Sequence, residues 1–309
     1  MRALIVGAGS VGGYFGGRLA AAGRDVTFLV RPRRATELAN GLTIVSKGQE
    51  TRVPVKVIRT GEAAAEFDVI LLAVKAYQLG AAIEDLGAYV SANSMILPVL
   101  NGMKHMDVLR SRFGSAHLIG GVAKIASSLD ERGRILDQAD FHDLAYGEWS
   151  GERTTRILAL DEFMRGAGFE ARLSAEIERD MWEKWAMLAS LAGVTSLMDG
   201  DVGQVARVSR GTEFVRSLIG EVVAAIGAEW RPLSDPFKAQ VLSLLTNRES
   251  NLTASMYRDM QGGYPVEADQ IIGDLVMRAA AKGIATPLLS AVLTRLKVYE
   301  ERQARQSGR

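Results

Sequence analysis

Short apolar runs and a helical repeat of apolar positions alternate at the start of the chain. Residues 3–6 and 26–30 are almost continuously apolar, whereas residues 10–22 place apolar side chains at helical spacing and are followed by Gly23. Short apolar runs bounded by turn residues are typical of buried strands, especially those of parallel sheets. The pattern therefore predicts a strand, a glycine turn, a helix and a second strand.

The same alternation continues to about residue 173. We predict, in order, strand 68–74, helix 79–89, strand 95–100, helix 106–113, strand 118–127, strands 134–136 and 143–146, helix 154–166 and strand 169–173. Residues 42–57 alternate apolar and polar positions around Lys47-Gly48-Gln49, which predicts a hairpin or a strand excursion. Strands 134–136 and 143–146 are expected to form an antiparallel pair that closes the sheet.

Strand-like runs end after residue 173, and amphipathic helical patterns follow. The predicted helices are 176–193, 211–229, 235–246, 250–259, 267–282 and 288–303. A chain of 309 residues suits two domains of ordinary size. We therefore predict an α/β protein with an N-terminal Rossmann-type doubly wound sheet at 1–173 and a second, all-helical domain at 174–309.

The first strand runs directly into the sequence Gly7-Ala8-Gly9-Ser10-Val11-Gly12. This G-x-G-x-x-G pattern between a strand and a helix indicates a dinucleotide site. Gly7 permits the tight turn, Gly9 lets the main chain approach a pyrophosphate, and Gly12 allows the helix to pack closely on the strand. Ser10 and Val11 open the helix, whose N-terminus attracts phosphate. The alternative is a glycine-rich turn in another kind of α/β protein.

The residues after the second strand indicate which dinucleotide is bound. NAD sites usually place an acidic residue there to hold the ribose 2′-hydroxyl. This chain has Arg31-Pro32-Arg33-Arg34 instead, and guanidinium groups suit a 2′-phosphate. We therefore predict NADPH as the cofactor, with Arg31 as its principal phosphate ligand. A solvated basic loop is the alternative.

Two further polar residues follow predicted parallel strands. Lys75 lies after strand 68–74, and Asn101-Gly102 lies after strand 95–100. Ligands bind beyond the carboxyl ends of such strands, so both are candidate cofactor contacts, and Asn101 would point an amide at the nicotinamide. The alternatives are a charge that leaves a buried strand and a simple Asn-Gly turn.

Composition excludes several classes of function. Lys and Arg number 37 and Asp and Glu number 36, so no net basic field favours nucleic acid. The absence of cysteine excludes disulfides, thiolate metal sites and cysteine nucleophiles, and fits a reducing compartment. His105, His117 and His142 are too scattered to suggest a metal site. No segment approaches the roughly 20 apolar residues of a membrane helix. We expect a cytoplasmic enzyme.

Lys184 is the candidate proton donor of the second domain. A carbonyl reduction requires a proton for the developing alkoxide, and the second domain contains no histidine. A lysine ammonium can donate that proton, particularly where burial lowers its pKa. Lys184 lies between Trp182 and Trp185 in an apolar helical stretch. The alternative is a lysine that extends from the helix edge to solvent.

Several motifs, taken in order, resemble the ketopantoate reductase (2-dehydropantoate 2-reductase) family. They are the opening glycine turn, Val74-Lys75, Leu100-Asn101-Gly102, Trp182-Glu183-Lys184, residues 254–260 followed by Glu267-Ala268-Asp269, and residues 283–287. The resemblance extends over almost the whole chain, so it is more specific than the glycine turn alone. It implies NADPH-dependent reduction of a 2-keto acid to a 2-hydroxy acid, with ketopantoate as the leading substrate.

The resemblance also implies residue roles. Lys184 would be the general acid, and Glu267 would contact the cofactor and the reacting oxygen or a substrate hydroxyl. Ser255 would bind the substrate, and Asn101 would lie between nicotinamide and substrate. Lys75 and Arg31 would hold the cofactor. A carboxylate beside a lysine keeps the ammonium protonated, and a serine hydroxyl can donate to a carboxylate. From the residues alone, Glu267 also fits a helix N-terminal acid that stabilises the helix dipole.

Some positions depart from the family pattern. Where the family presents asparagines one and two turns after the lysine, this chain has Leu188 and Ala192, and residues 193–201 also lack an expected asparagine. Replacing amides with apolar side chains relaxes discrimination in favour of polar substrates. Asn247 and Asn251 could compensate from another helix.

Three functions therefore remain open. The first is reduction of ketopantoate, and the second is reduction of a related, more apolar 2-keto acid. The third is a non-catalytic NADP(H)-binding sensor, against which the presence of Lys184 and Glu267 argues. A homodimer is the hypothesis for the oligomeric state.

Overall fold

The computed structural model describes residues 1–62, 66–138 and 140–307. Contacts divide the chain into two compact units. The first comprises Met1–Leu100 and His105–Met181, and the second comprises Asn101–Lys104 and Trp182–Arg309. The boundary after Met181 falls within the helix Ile177–Met198. The first turn of that helix therefore belongs to the first unit. The boundary between residues 173 and 174 stays a prediction.

The first unit is mixed α/β. Its strands are β1 (Arg2–Val6), β2 (Asp25–Val30), β3 (Leu42–Ser46), β4 (Gln49–Val53), β5 (Lys56–Arg59), β6 (Val69–Leu72), β7 (Met95–Pro98), β8 (Gly120–Lys124), β9 (Ser127–Leu129), β10 (Ile135–Asp137), β11 (Asp143–Gly147) and β12 (Glu170–Leu173). Its helices are α1 (Ser10–Ala21), α2 (Pro32–Leu38), α3 (Leu79–Gly87), α4 (Lys104–Phe113) and α5 (Thr155–Met164), with 3₁₀ turns at Ala76–Gln78 and Ser115–His117.

The central sheet consists of parallel strands in the order β5-β2-β1-β6-β7. From β1 the chain proceeds to β2 on one side, and it later returns to place β6 on the other side. The carboxyl ends of β1 and β6 therefore mark the point where the strand order reverses, which is where open α/β sheets bind ligands. Strands β6 and β7 are wholly buried, as expected for parallel strands covered on both faces. The predicted Rossmann-type sheet is confirmed.

The predicted hairpin at 42–57 is also confirmed. Strands β3 and β4 pair antiparallel from Leu42 with Val53 to Ser46 with Gln49. The chain then returns to the central sheet, because β5 pairs parallel with β2 and forms its edge.

The predicted antiparallel pairing of 134–136 with 143–146 is wrong. Strand β10 instead belongs to a four-stranded sheet, β4-β3-β10-β9, whereas β11 belongs to a three-stranded sheet, β12-β11-β8. Asp130 accounts for the difference, because its carboxylate accepts the main-chain N–H groups of Arg132 at 3.0 Å and Arg134 at 2.8 Å. This tight turn pairs β10 with the adjacent β9. The strand predicted at 118–127 corresponds to β8, and β9 begins only at its last residue and lies in a different sheet.

Helix α1 lies between the central sheet and the four-stranded sheet. A methyl group on Gly16 would lie 2.7 Å from Phe28 Cζ of the central sheet. A methyl group on Gly13 would lie 2.6 Å from Ile135 Cδ1 of the other sheet. Both glycines are buried. The close approach of two sheets therefore explains why this helix carries glycines in spite of their low helix propensity.

The second unit is helical. After α6 (Ile177–Met198), which begins in the first unit, its elements are α7 (Val202–Arg207), α8 (Gly211–Glu229), α9 (Asp235–Leu245), α10 (Ser255–Gln261), a π-turn (Asp269–Gly273), α11 (Asp274–Ala281) and α12 (Pro287–Ser307). Between residues 174 and 307 the structure contains no strand, and the all-helical prediction is confirmed for this part. None of the helices within the described ranges is both long and apolar enough to cross a bilayer.

Helix α10 begins later than the predicted helix 250–259. The main-chain carbonyls of Ser250 and Leu252 accept hydrogen bonds from the first two amides of α7, at 2.7 Å and 3.0 Å. These bonds hold residues 250–254 outside the helix, and Ser255 becomes its first residue. Helix α7 itself was not predicted, because its 6 residues are too few to show a clear period.

The packing of α1 can be tested by adding a methyl group. Gly16→Ala is expected to lower the free energy of unfolding by about 1–3 kcal/mol, because the methyl overpacks the contact with the central sheet. Gly220→Ala is the matched control, since Gly220 is exposed within α8 and a methyl there meets nothing within 4 Å. The control should gain roughly 0.5–1 kcal/mol from helix propensity. Urea unfolding followed by circular dichroism compares the two, and equal responses would contradict the packing of α1.

Candidate active site

The glycine turn after β1 combines two structural glycines with one that faces open space. Gly7 has a φ of 100°, and a methyl group on it would lie 2.9 Å from the main chain of Ala73. A methyl group on Gly12 would lie 2.3 Å from the carbonyl oxygen of Gly7. A methyl group on Gly9 would meet nothing within 4 Å. The protein's own packing therefore explains Gly7 and Gly12, whereas the space beside Gly9 fits the approach of a dinucleotide pyrophosphate.

The N-terminus of α1 faces the same turn. Helix α1 begins at Ser10, and Gly13 N–H donates to Gly9 O at 2.9 Å. The amides of Ser10 and Val11 belong to the first turn, which has no acceptor within the helix. Such amides, together with the positive end of the helix dipole, bind anions. The predicted cofactor residues Gly7, Gly9, Ser10, Val11 and Gly12 thus form one continuous cradle suited to phosphate.

Arg34 supports the cradle from behind and was not among the predicted site residues. Its Nε donates to Ala8 O at 3.0 Å, and its Nη1 donates to Gly133 O at 3.0 Å and to Glu37 Oε2 at 2.8 Å. The hydrogen bond from Arg34 is the main cause of a pKa of Glu37 below the ordinary value. Arg34 therefore connects the middle of the glycine turn to α2 and to the turn before β10. In the sequence, Arg34 was marked only by its membership of the arginine cluster.

Arg31 and Arg33, the other two arginines of the cluster, are exposed and differ in their partners. Arg31 immediately precedes α2 and is exposed. Within the described part of the chain, its side chain has no hydrogen bond or ion pair, so its guanidinium is available to a ligand. The side chain of Arg33 is 92% exposed and pairs with Glu37 at 3.1 Å. Of the three, Arg31 directly follows β2, and among the described residues its whole guanidinium is uncommitted, which suits a 2′-phosphate ligand.

Lys75 lies just beyond β6, the strand beside β1 on the other side of the switch point. Its main-chain N–H donates to Gln78 Oε1 at 3.3 Å, and its carbonyl accepts from Gln78 N at 2.8 Å. These bonds form a short turn that fixes the main chain of Lys75, whose residue is half-buried. The predicted cofactor contact therefore lies at the carboxyl edge of the sheet, as expected.

In the second unit, Lys184 lies on α6 beside a group of stacked tryptophans. Trp182 and Trp185 are buried, whereas Lys184 is half-buried. Trp182 stacks on Trp230 with ring centroids 5.7 Å apart. Trp185 Nε1 donates to Ile271 O at 2.9 Å. This hydrogen bond attaches the part of α6 that carries Lys184 to the π-turn.

Glu267 immediately precedes the helical segment that contains the π-turn. The residue is only 7% exposed, and its carbonyl accepts from Ile271 N at 3.0 Å. Asn101 meets the same segment, because its carbonyl accepts from Gln270 Nε2 at 2.9 Å. The structure therefore brings three predicted site segments, those of Lys184, Glu267 and Asn101, to the region of one π-turn. Turns of this type occur frequently at functional sites.

Ser255 is connected to the same helix through a residue that was not predicted. Ser255 is exposed at the start of α10. The amide of the preceding Ala254 donates to Thr195 Oγ1 at 3.4 Å, and Thr195 Oγ1 donates to Leu191 O at 2.8 Å. Thr195 lies on α6 about three turns after Lys184. A threonine within an apolar stretch at that spacing was the only available signal in the sequence.

The residues one and two turns after Lys184 are apolar, as the sequence states. Leu188 is half-buried and Ala192 is buried. The two asparagines considered as substitutes lie in the loop between α9 and α10. Asn247 Oδ1 accepts from Glu249 N at 3.0 Å and so closes its own turn, and Asn251 is exposed.

The chain matches models of one protein family in both units. Residues 3–151 match "Ketopantoate reductase PanE/ApbA", and residues 176–300 match "Ketopantoate reductase PanE/ApbA C terminal". The chain belongs to the ketopantoate reductase family. The predicted membership of this family is confirmed, and the protein is an oxidoreductase of the 2-dehydropantoate 2-reductase type.

Related sequences agree with this membership. The chain is 38% identical to the uncharacterized oxidoreductase YkpB of Bacillus subtilis (strain 168), over 97% of this chain and 99% of that protein. It is 26% identical to a 2-dehydropantoate 2-reductase of Halobacterium salinarum, over 94% and 95% of the two chains.

Solved structures share the fold over nearly the whole chain. The 2-dehydropantoate 2-reductase of Geobacter metallireducens GS-15 is 28% identical, with a TM-score of 0.85 over 96% of this chain and 99% of that chain. A D-mandelate dehydrogenase, solved with NADH and anilino(oxo)acetate, is 20% identical, with a TM-score of 0.86 over 98% of this chain and 100% of that chain. The second likeness concerns the fold alone.

The role of Arg34 can be separated from that of its neighbour. Arg34→Met is expected to lower the free energy of unfolding by about 1.5–3 kcal/mol, because it removes hydrogen bonds from a charged donor to part-buried carbonyls. Arg33→Met should change it by less than about 0.5 kcal/mol, because exposed ion pairs contribute little. Chemical denaturation of both variants gives the comparison. Similar values would show that Arg34 does not support the glycine turn.

Proposed function

We propose that the protein catalyses the NADPH-dependent reduction of a 2-keto acid, with 2-dehydropantoate (ketopantoate) as the leading substrate and pantoate as the product. The observation that carries the proposal is the meeting of the Lys184, Glu267 and Asn101 segments around one π-turn. The match to the family over both units supports the same chemistry. A sensor of NADP(H) would need the glycine cradle but not this second group of residues.

The proposed chemistry requires a hydride, a proton and a fixed substrate. NADPH, when bound, supplies the hydride to the C2 carbonyl carbon. Lys184 donates a proton to the oxygen that becomes the hydroxyl, which balances the addition and neutralises the developing alkoxide. The buried Glu267 orients this region by accepting from the ammonium or from a substrate hydroxyl. Asn101 and Ser255 orient the keto acid through amide and hydroxyl donors.

The residues of the first unit bind the cofactor in this proposal. The amides that follow Gly9 at the start of α1 hold the pyrophosphate, and the open space beside Gly9 supports this role. Arg31 binds the 2′-phosphate, which its exposure and uncommitted guanidinium support. Lys75 contributes a further cation at the edge of the sheet. A cytoplasmic location and a homodimer remain hypotheses.

A more apolar 2-keto acid is the second candidate substrate. Leu188 and Ala192 follow Lys184 on α6 and present no amide to a substrate hydroxyl. A D-mandelate dehydrogenase of the same fold has been solved with NADH and anilino(oxo)acetate, an oxo acid with an aromatic ring, and this supports a more apolar substrate as the second candidate. The hydroxyl of ketopantoate would gain less from such a pocket.

A panel of 2-keto acids, including ketopantoate and phenylglyoxylate, distinguishes these functions when NADPH oxidation is followed. Lys184→Ala should lower kcat by at least about 100-fold, the usual contribution of a general acid. Lys282→Ala is the control, because that side chain is 47% exposed and its ion pair with Glu229 is long, at 3.7 Å. Preference within the panel identifies the substrate class. Tight binding of NADPH without turnover of any member would contradict both enzyme functions and favour the sensor.

Cofactor preference tests the assignment of Arg31. Arg31→Ala is expected to weaken NADPH binding by about 2–3 kcal/mol, because a charge-assisted phosphate contact is lost. NADH binding should remain nearly constant, since NADH lacks the 2′-phosphate. Arg33→Ala is the matched control and should leave both affinities close to those of the parent protein. Fluorescence titration measures both constants, and equal weakening of NADPH and NADH by Arg31→Ala would refute the assignment.

A further inference from the structure

We infer that Gln270 is a positioning residue, which fixes the turn at Asn101 and Gly102 and so directs the Asn101 side chain during catalysis. The inference rests on the proposed function, because it assumes that Asn101 takes part in the reduction. Gln270 was not among the predicted site residues, and it adds to the roles that family membership implies.

The first observation is the hydrogen bond from Gln270 to the main chain of Asn101. Gln270 Nε2 lies 2.9 Å from Asn101 O, and the residue is only 5% exposed. A carbonyl oxygen only accepts, so the amide NH₂ of Gln270 must face it, and the orientation of the amide is settled by its partner. The bond is part-buried, because Asn101 itself is half-buried, and breaking it would cost the buried Gln270 amide a hydrogen bond.

The second observation is independent of that side chain. Gly102 has a φ of 78°, and a methyl group on it would lie 2.5 Å from the carbonyl oxygen of Gln270. The turn therefore lies directly against the main chain of the same residue whose side chain binds Asn101. A left-handed conformation and this close approach both require glycine at position 102. Gln270 thus contacts Asn101 through its side-chain amide and Gly102 through its main-chain carbonyl.

The third observation is where Gln270 lies. It belongs to the π-turn Asp269–Gly273 and follows Glu267 by one helical turn. The next residue, Ile271, accepts the indole N–H of Trp185 through its carbonyl. The π-turn is consequently held to α6 at one residue and to the Asn101 turn at the preceding one. A shift of the π-turn would move Glu267, Asn101 and the Lys184 helix relative to one another.

The consequence concerns kcat more than substrate affinity. The Asn101 side chain leaves a main chain whose carbonyl and following residue are both held, so it can take only the staggered directions that this main chain allows. Displacement of a positioning group by about 1 Å can cost roughly 100-fold in rate. Loss of only one of the two contacts from Gln270 should cost less than that, about tenfold in kcat.

The experiment uses Gln270→Met and Gln270→Glu in the full chain. The first removes the amide, and the second keeps the shape but presents a carboxylate to the Asn101 carbonyl. Gln261→Met is the matched control, since Gln261 also donates a side-chain hydrogen bond, at 2.8 Å to Asp199 Oδ1, but is exposed. We expect both Gln270 variants to lower kcat about tenfold with a smaller change in KM, and the control to retain the parent value.

A double-mutant cycle with Asn101→Ala gives the decisive kinetic test. If Gln270 acts through the Asn101 side chain, Gln270→Met should cost less than about twofold in the Asn101→Ala background. Full additivity of the two effects would overturn the inference, because it would mean that Gln270 affects the rate without Asn101. Unchanged kcat in both single Gln270 variants would overturn it as well.

Hydrogen exchange keeps this inference separate from the proposed reaction. The amides of Asn101–Lys104 should exchange faster in both Gln270 variants than in the parent protein or in Gln261→Met. This readout needs no turnover, so it decides whether Gln270 holds the turn even if no keto acid is reduced. Inactivity of the parent protein on the whole panel would refute the proposed function, whereas unchanged exchange at the turn would refute the role of Gln270.

Discussion

The first unit depends on how closely helix α1 approaches its neighbours. The helix lies between two sheets, and methyl groups on its glycines would come within 2.6–2.7 Å of side chains on either side. In the first turn of α1, Gly12 packs against the carbonyl oxygen of Gly7. This contact fixes the conformation of the turn after β1. The N-terminal amides of α1 are therefore placed by packing in the interior of the unit, before any ligand is considered. The proposed recognition of phosphate depends on this packing.

The second unit is organised around a local irregularity in a helix. The π-turn Asp269–Gly273 widens the helix, and its neighbourhood contains the contacts to Trp185 and Asn101. A regular helix satisfies its own main-chain groups and presents few of them to other elements. The irregular turn instead exposes a carbonyl and a side-chain amide to two other segments. Trp185 and Asn101, which are distant in sequence, are thereby held by the same π-turn.

Local patterns predicted most elements, because buried strands and amphipathic helices leave clear periods in the sequence. The pairing of β10 and the start of α10 could not be predicted, since each depends on a few polar bonds, those of Asp130 and those between α7 and residues 250–254. The glycine cradle was evident from one motif. Gln270 and Thr195 were not, because a single buried amide or hydroxyl has no periodic signature.

The open space beside Gly9 distinguishes that position from the other two glycines of the motif. The surrounding protein imposes no steric limit there, in contrast to Gly7 and Gly12. A side chain at position 9 would therefore leave folding intact and obstruct only what approaches from outside. If a dinucleotide pyrophosphate approaches there, as proposed, the ligand rather than the folded protein limits the size of this residue. Among related chains, a larger residue at this position would mark a protein that has kept the architecture and abandoned the cofactor.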